Sequence, residues 1–73
     1  MSKSIYSEEY KGVVDKLKKA RHGVGLKQEE VASKLKKPQS YVSKIESGER
    51  RVDVAELKQL AKIYKKDISF FIK

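Results

Sequence analysis

Apolar side chains recur at intervals of three and four residues along most of this 73-residue chain. That spacing places them on one face of an α-helix, and no segment alternates between apolar and polar residues as a half-buried strand would. The pattern therefore predicts an all-α protein, a compact five-helix bundle that forms a single domain over residues 1–73. The predicted helices span residues 7–22, 28–36, 39–47, 54–65 and 68–72.

Each predicted helix has a stripe of side chains that we expect to face the core. At helical spacing Phe70 points away from the stripe of the last helix. Core packing and contact between two subunits remain alternative roles for Phe70, Phe71, Tyr6 and Tyr10, because an exposed aromatic ring often marks an interface. In chain order, the stripes are Tyr10, Val13, Val14, Leu17 and Arg21; Val31, Ala32 and Leu35; Val42 and Ile45; Val54, Leu57, Leu60, Ala61 and Tyr64; and Ile68, Phe71 and Ile72.

Helix ends are marked by residues whose side chains or backbones suit them. Ser7 precedes two glutamates and is a candidate cap for the first helix, which the glycine-containing residues 22–25 should end. Asp53 and Glu56 have the spacing of a capping box at the start of the fourth helix. Asp67 is placed to cap the last, short helix.

The charge of the chain is strongly positive. Eighteen Lys and Arg residues outnumber ten Asp and Glu residues, which gives a formal net charge of +8 at pH 7. The default inference is a polyanionic partner, with nucleic acid favoured over an anionic membrane. The alternative is a lysine-rich surface that only increases solubility.

Several classes of function are disfavoured by the composition. The chain has no cysteine and one histidine, so disulfides and thiolate metal sites are excluded, and we expect no metal or other cofactor. The acidic residues lie at helix starts and on exposed faces, without a pocket for a catalytic pair, so we do not expect an enzyme. No apolar run is long enough to span a membrane or resembles a secretory signal, so we expect a soluble cytoplasmic protein.

The most informative segment joins the second predicted helix to the third. The connection, residues 35–39, is so short that it should hold the two helix axes at a steep angle, as in a helix-turn-helix. The second helix of such a unit presents its N-terminal side chains to base edges in the major groove of DNA. We therefore predict base contacts from Gln39, Ser40 and Lys44, because Gln can bond adenine, Lys can bond guanine and Ser is permissive.

Contacts to the DNA backbone are predicted from side chains around this helix. Tyr41 and Ser43 flank the base-reading positions, and Arg50 and Arg51 follow the expected helix stop. Gln28 opens the preceding helix, where free amides and the positive end of the helix dipole also favour phosphate.

The same segment resembles the helix-turn-helix of the phage-repressor and Cro-like (XRE-type) regulators. The resemblance extends from Leu17 to Ile72 and implies a double-stranded DNA-binding transcriptional regulator, typically a repressor that acts as a homodimer on a near-palindromic operator. It implies the same base and backbone contacts as those predicted above. It also implies a structural ion pair between Arg21 and Glu46. The residues that carry it are Leu26, residues 28–32, Leu35, residues 39–51, Leu57, residues 60–61 and residues 67–68.

Lysines replace the usual residues of this family at three helix ends. Lys36 and Lys37 occupy the turn where a glycine is usual, so we expect a strained turn or a turn of different shape. Lys27 stands where Ser or Thr often caps the second helix, and Lys65 stands where a glycine often ends the fourth.

Other functions are compatible with the same fold. The main alternative is an antitoxin-type or adaptor-type protein-interaction module that has lost base reading, although the polar and basic residues of the helix-turn-helix disfavour it. An RNA-binding role is less favoured, because the major groove of A-form RNA is too deep and narrow for a helix.

Overall fold

The computed structural model describes residues 8–72, which fold into five helices with no strand among them. This architecture confirms the all-α five-helix bundle predicted from the hydrophobic pattern. The proposed cap at Ser7 and the possible packing of Tyr6 lie outside the described residues. The helices are α1 (Glu8–Gly23), α2 (Gln28–Leu35), α3 (Gln39–Ser47), α4 (Val54–Ile63) and α5 (Ser69–Ile72).

One hydrophobic core holds the helices together. α1 packs against α3 and α5, and α2 packs against α3 and α4. Burial of such side chains is the main favourable contribution to the folding of a domain this small. The fully buried centre of this core consists of Leu17, Val31, Val42, Ile45, Tyr64 and Phe71.

Two residues of the predicted stripes do not enter the core. Val54 is 67% exposed and Ile72 is 58% exposed, so their predicted inward orientation is wrong. Val54 is the first residue of α4 and Ile72 is the last residue of α5. Both keep the helical spacing of their stripes, but no neighbouring helix covers them at these ends. Phe70, expected to point elsewhere, is half-buried, packs against the core and meets Phe71 edge-on with ring centroids 5.0 Å apart.

The predicted capping box of α4 is present. The Asp53 carboxylate accepts a hydrogen bond from the Glu56 backbone N–H at 2.8 Å, and the Glu56 carboxylate accepts one from the Asp53 N–H at 2.9 Å. The helix ends at Ile63, two residues before the predicted end, and Lys65 follows in the left-handed conformation with φ of 59°. At the last helix, the Asp67 carboxylate accepts from the Ser69 N–H at 3.0 Å.

Candidate nucleic-acid interface

The side of α3 that faces away from the core presents polar side chains to solvent. Gln39, Ser40 and Lys44 are exposed. On the opposite face of the helix, Val42 and Ile45 are each only 2% exposed and fix the helix to the core. The three residues predicted to contact bases therefore lie together on the outer side of a helix whose position is set by packing.

The turn before α3 keeps its shape although a lysine occupies the glycine position. Lys36 has φ of 60° and ψ of 43°, which is left-handed backbone. Its N–H bonds the Ser33 carbonyl at 3.0 Å, and the Lys37 N–H bonds the Ala32 carbonyl at 2.9 Å. These two bonds form the Schellman arrangement that glycine usually permits. Of the two expected outcomes, the strained turn is the one observed.

The start of α2 lacks half of its cap. Lys27 is the N-cap residue, and its ammonium group cannot accept a hydrogen bond from the helix amides. The reciprocal half is present, because the Glu30 carboxylate accepts from the Lys27 backbone N–H at 2.7 Å.

A buried ion pair connects α1 to α3. Arg21 Nε donates to Glu46 Oε2 at 2.8 Å and Arg21 Nη2 donates to Glu46 Oε1 at 3.0 Å. Arg21 Nη1 also donates to the Leu26 carbonyl at 3.0 Å, which holds the connection between α1 and α2. The hydrogen bond to Glu46 raises the pKa of Arg21 despite its burial, so the guanidinium remains charged. The pair implied by the family resemblance is thus present as a bidentate contact.

The same carboxylate positions two of the predicted DNA-contacting residues. Gln28 Nε2 donates to Glu46 Oε1 at 3.0 Å, and Gln39 Nε2 donates to Gln28 Oε1 at 3.3 Å. Residues from α1, α2 and α3 are therefore linked in one hydrogen-bonded series that begins at buried Arg21 and reaches the surface at Gln39. The orientation of Gln28 and Gln39 is set by this series.

Tyr41 is the centre of a second group of polar contacts. Its ring lies 5.3 Å from Lys37 Nζ and 4.7 Å from the guanidinium carbon of Arg50. Arg50 Nη2 also forms an ion pair with Glu56 Oε2 at 2.7 Å. Burial raises the pKa of Tyr41, and a hydrogen bond to Glu56 raises it further. Burial opposes ionisation of Glu56, but hydrogen bonds from Asp53, Tyr41 and Arg50 lower the pKa of its carboxyl.

Arg51 is held against α1. Its guanidinium carbon lies 4.7 Å from the centre of the Tyr10 ring, and the Tyr10 hydroxyl accepts a hydrogen bond from the Val52 N–H at 2.9 Å. The segment that follows α3 is therefore fastened to the first helix. Both arginines predicted to contact phosphate therefore pack against aromatic rings, Arg50 against Tyr41 and Arg51 against Tyr10, and these rings orient their guanidinium groups.

Three residues of these groups are missing from the site predicted from the sequence, namely Lys37, Glu56 and Tyr10. Glu56 follows Arg50 by six residues across a helix boundary, and Tyr10 precedes Val52 by 42 residues. Neither separation is a helical spacing, so no sequence pattern indicates these contacts. Lys37 precedes Tyr41 by four residues, but Pro38 lies between them, so helical spacing could not be assumed.

The described part of the chain shows neither a candidate metal site nor a candidate membrane span. Among residues 8–72, no three potential metal-ligating side chains lie together. None of the helices described here is long and apolar enough to cross a membrane.

Comparison with known proteins identifies the family of the chain. A family model described as Helix-turn-helix matches residues 17–71 of the chain. No curated protein and no solved structure matches. The matched region contains the end of α1, all of α2, α3 and α4, and every site residue predicted from the sequence.

Proposed function

This chain belongs to the XRE-type helix-turn-helix family of DNA-binding proteins, and we propose that it is a sequence-specific regulator of transcription. The observation that carries the proposal is the exposed trio Gln39, Ser40 and Lys44 on the outer side of α3, on a helix whose inner side is fixed by the core and by the Arg21–Glu46 pair. A rigidly held helix with polar side chains at its N-terminal end is what recognition in a major groove requires.

In this proposal, Gln39 and Lys44 make the discriminating contacts. Gln39 uses one amide hydrogen for Gln28 and keeps its second hydrogen and its oxygen, which are the donor and the acceptor that adenine N7 and N6 require. Lys44 donates to guanine O6 and N7, and Ser40 accepts or donates according to the base it faces.

Gln28, Tyr41, Ser43, Arg50 and Arg51 fix the register by binding phosphate oxygens. The single hydroxyl hydrogen of Tyr41 exchanges Glu56 for the phosphate when DNA binds. Gln28 has one amide hydrogen left after bonding Glu46, and it opens α2, where the helix dipole favours an anion. Arg50 binds Glu56 through Nη2, and the guanidinium group has further N–H donors for a phosphate. These contacts supply affinity and orientation without sequence preference.

We further propose that two copies act together on a near-palindromic operator. Two α3 helices related by a two-fold axis would enter successive major grooves about 34 Å apart. Regulation would then follow from occupancy of a promoter.

The direct test is selection of bound duplexes from a random pool of double-stranded DNA. Enrichment of an inverted repeat with half-sites about one helical turn apart would support base reading by a two-fold dimer. A pool that shows no enrichment would overturn base reading and favour the protein-interaction module instead.

A second measurement separates DNA binding from nonspecific adhesion. The logarithm of the affinity for the selected duplex should fall linearly with the logarithm of the salt concentration, with a slope near −0.9 for each phosphate neutralised. Affinity that does not change with salt would contradict the proposed phosphate contacts.

A further inference from the structure

Gly12 is unexplained by the contacts of the described residues. It lies inside α1, where glycine destabilises a helix relative to alanine, and its φ is not positive. A Cβ atom built at this position would have no heavy atom within 4 Å apart from its own helix and chain neighbours. Neither backbone conformation nor internal packing therefore requires a glycine here.

The surface around Gly12 is a shallow groove between α1 and α5. Val13 is half-buried in the wall of the groove, Phe71 at its base is only 2% exposed, and Ile72, which is 58% exposed, stands at the edge. Glu9 and Lys16 also line the groove. The patch thus combines partly exposed apolar side chains with one acidic and one basic side chain.

The arrangement of these charges is self-complementary. Glu9 and Lys16 are seven residues apart, so they lie near the same face of α1 and about 10.5 Å apart along its axis. Their midpoint falls between Gly12 and Val13. If a two-fold axis passed through that midpoint, Glu9 of each copy would lie opposite Lys16 of the other, as an isologous interface requires.

We propose that this groove is the homodimer interface, in which the α1 helices of two copies cross in antiparallel orientation at Gly12. The missing side chain lets the two backbones approach closely, Ile72 of each copy covers the apolar surface of the other, and two Glu9–Lys16 pairs fix the register. The inference rests on the proposed function, in which two copies bind one operator, and it assigns the surface that joins them.

Charge exchange tests the pairing. In sedimentation velocity over a range of protein concentrations, Glu9→Lys alone and Lys16→Glu alone should each weaken dimerisation about tenfold, because two attractive pairs become two repulsive ones. The double variant, Glu9→Lys with Lys16→Glu, restores both pairs with reversed polarity and should recover the dimer. Failure of the double variant to recover would overturn the proposed register.

Matched controls use exposed residues of α1 outside the groove. Asp15→Lys and Lys18→Glu make the same changes in net charge as the two test variants, and they should leave the dimerisation constant within about twofold. Equal weakening by test and control variants would mean that net charge governs association, which would overturn the interface.

Gly12 provides an independent test. Gly12→Gln has room within a single chain and should not lower the thermal stability of the monomer, but it places a side chain at the helix crossing and should abolish the dimer. A variant that remains dimeric would overturn the crossing at Gly12. A wild-type protein that is monomeric at every concentration would overturn the proposal, because the groove would then be open or covered by another occupant.

The interface and the DNA-binding function can fail separately. A monomeric Gly12→Gln variant should still prefer a half-site duplex to a scrambled one, which would support a dimer surface distinct from α3. A wild-type dimer that passes the charge-exchange test but selects no duplex would overturn the proposed function and support the interface.

Discussion

Among single residues, Glu46 both stabilises the fold and orients side chains of the candidate interface. Its carboxylate neutralises buried Arg21 and also accepts a hydrogen bond from Gln28, which in turn bonds Gln39. The side-chain exposures of Arg21 and Glu46 are only 10% and 4%. Substitution of Glu46 should therefore lower the stability of the fold and also change the orientation of Gln28 and Gln39, two of the predicted DNA-contacting residues.

Replacement of Glu46 should destabilise the protein strongly. In Glu46→Ala, the Arg21 guanidinium loses its counter-charge while it remains buried, so we expect the free energy of unfolding to fall by about 3–5 kcal/mol. Thermal or urea unfolding measures the change, with exposed Glu29→Ala as the control. An unchanged melting temperature would show that the pair does not contribute to stability.

Two further single-residue changes separate base contacts from phosphate contacts. Lys44→Ala should reduce discrimination at one base pair by about 1–3 kcal/mol, whereas Arg51→Ala should weaken binding to all duplexes alike. Affinities for the selected operator and for variants changed at one base pair provide the measurement. If both substitutions reduced affinity equally for every duplex, the assignment of Lys44 to base reading would be wrong.

At the scale of elements, the α2–α3 turn combines a preserved shape with an unfavourable residue. Lys36 makes the bonds of a Schellman turn, but a side chain in left-handed backbone costs roughly 1–2 kcal/mol. The turn sets the angle between α2 and α3, so its shape matters more to the interface than its contribution to stability. Lys65, with φ of 59° after α4, repeats the same substitution.

A glycine at the turn should stabilise the protein. Lys36→Gly relieves the left-handed strain but increases the freedom of the unfolded chain, so we expect a net gain of about 1 kcal/mol in urea unfolding. Lys34→Gly, in the exposed last turn of α2, should instead cost up to about 1 kcal/mol. The test is that the two substitutions change the free energy of unfolding in opposite directions. A loss of stability in both variants would mean that the turn is not strained.

At the scale of the whole molecule, the five helices share one core that includes a polar aromatic residue. Tyr64 is 1% exposed, and burial, followed by the nearby Glu46 carboxylate, raises the pKa of its hydroxyl. In the unfolded chain, the same group titrates near pH 10. Folding is therefore linked to the protonation of a residue in the centre of the bundle.

This linkage predicts a loss of stability at alkaline pH. The folded state holds the Tyr64 proton to a higher pH than the unfolded state does, so this contribution is complete below about pH 10 and is lost as pH rises above it. The free energy of unfolding should fall by up to about 1.4 kcal/mol for each pH unit in that range, and less steeply in Tyr64→Phe. Identical alkaline profiles for the two proteins would contradict the assignment to Tyr64.

Local sequence patterns were enough to predict the five helices, most of the core and the capping box at Asp53 and Glu56. These features depend on interactions between residues three or four positions apart, so hydrophobic spacing and capping chemistry predict them. The placement of Gln39, Ser40 and Lys44 on the exposed side of α3 follows from the same spacing once Val42 and Ile45 are assigned to the core.

Apart from the Arg21–Glu46 pair, the long-range polar contacts of the site follow from the packed structure and not from any pattern in the sequence. Gln28 lies 18 residues from Glu46 along the chain, and Tyr10 lies 42 residues from Val52, yet both pairs are hydrogen-bonded. Such contacts depend on how the helices cross, and the crossing is set by the packing of the whole core. The same reason explains why Val54 and Ile72 continue their helical stripes but remain exposed, since periodicity specifies a face and only the packed neighbour decides whether that face is covered.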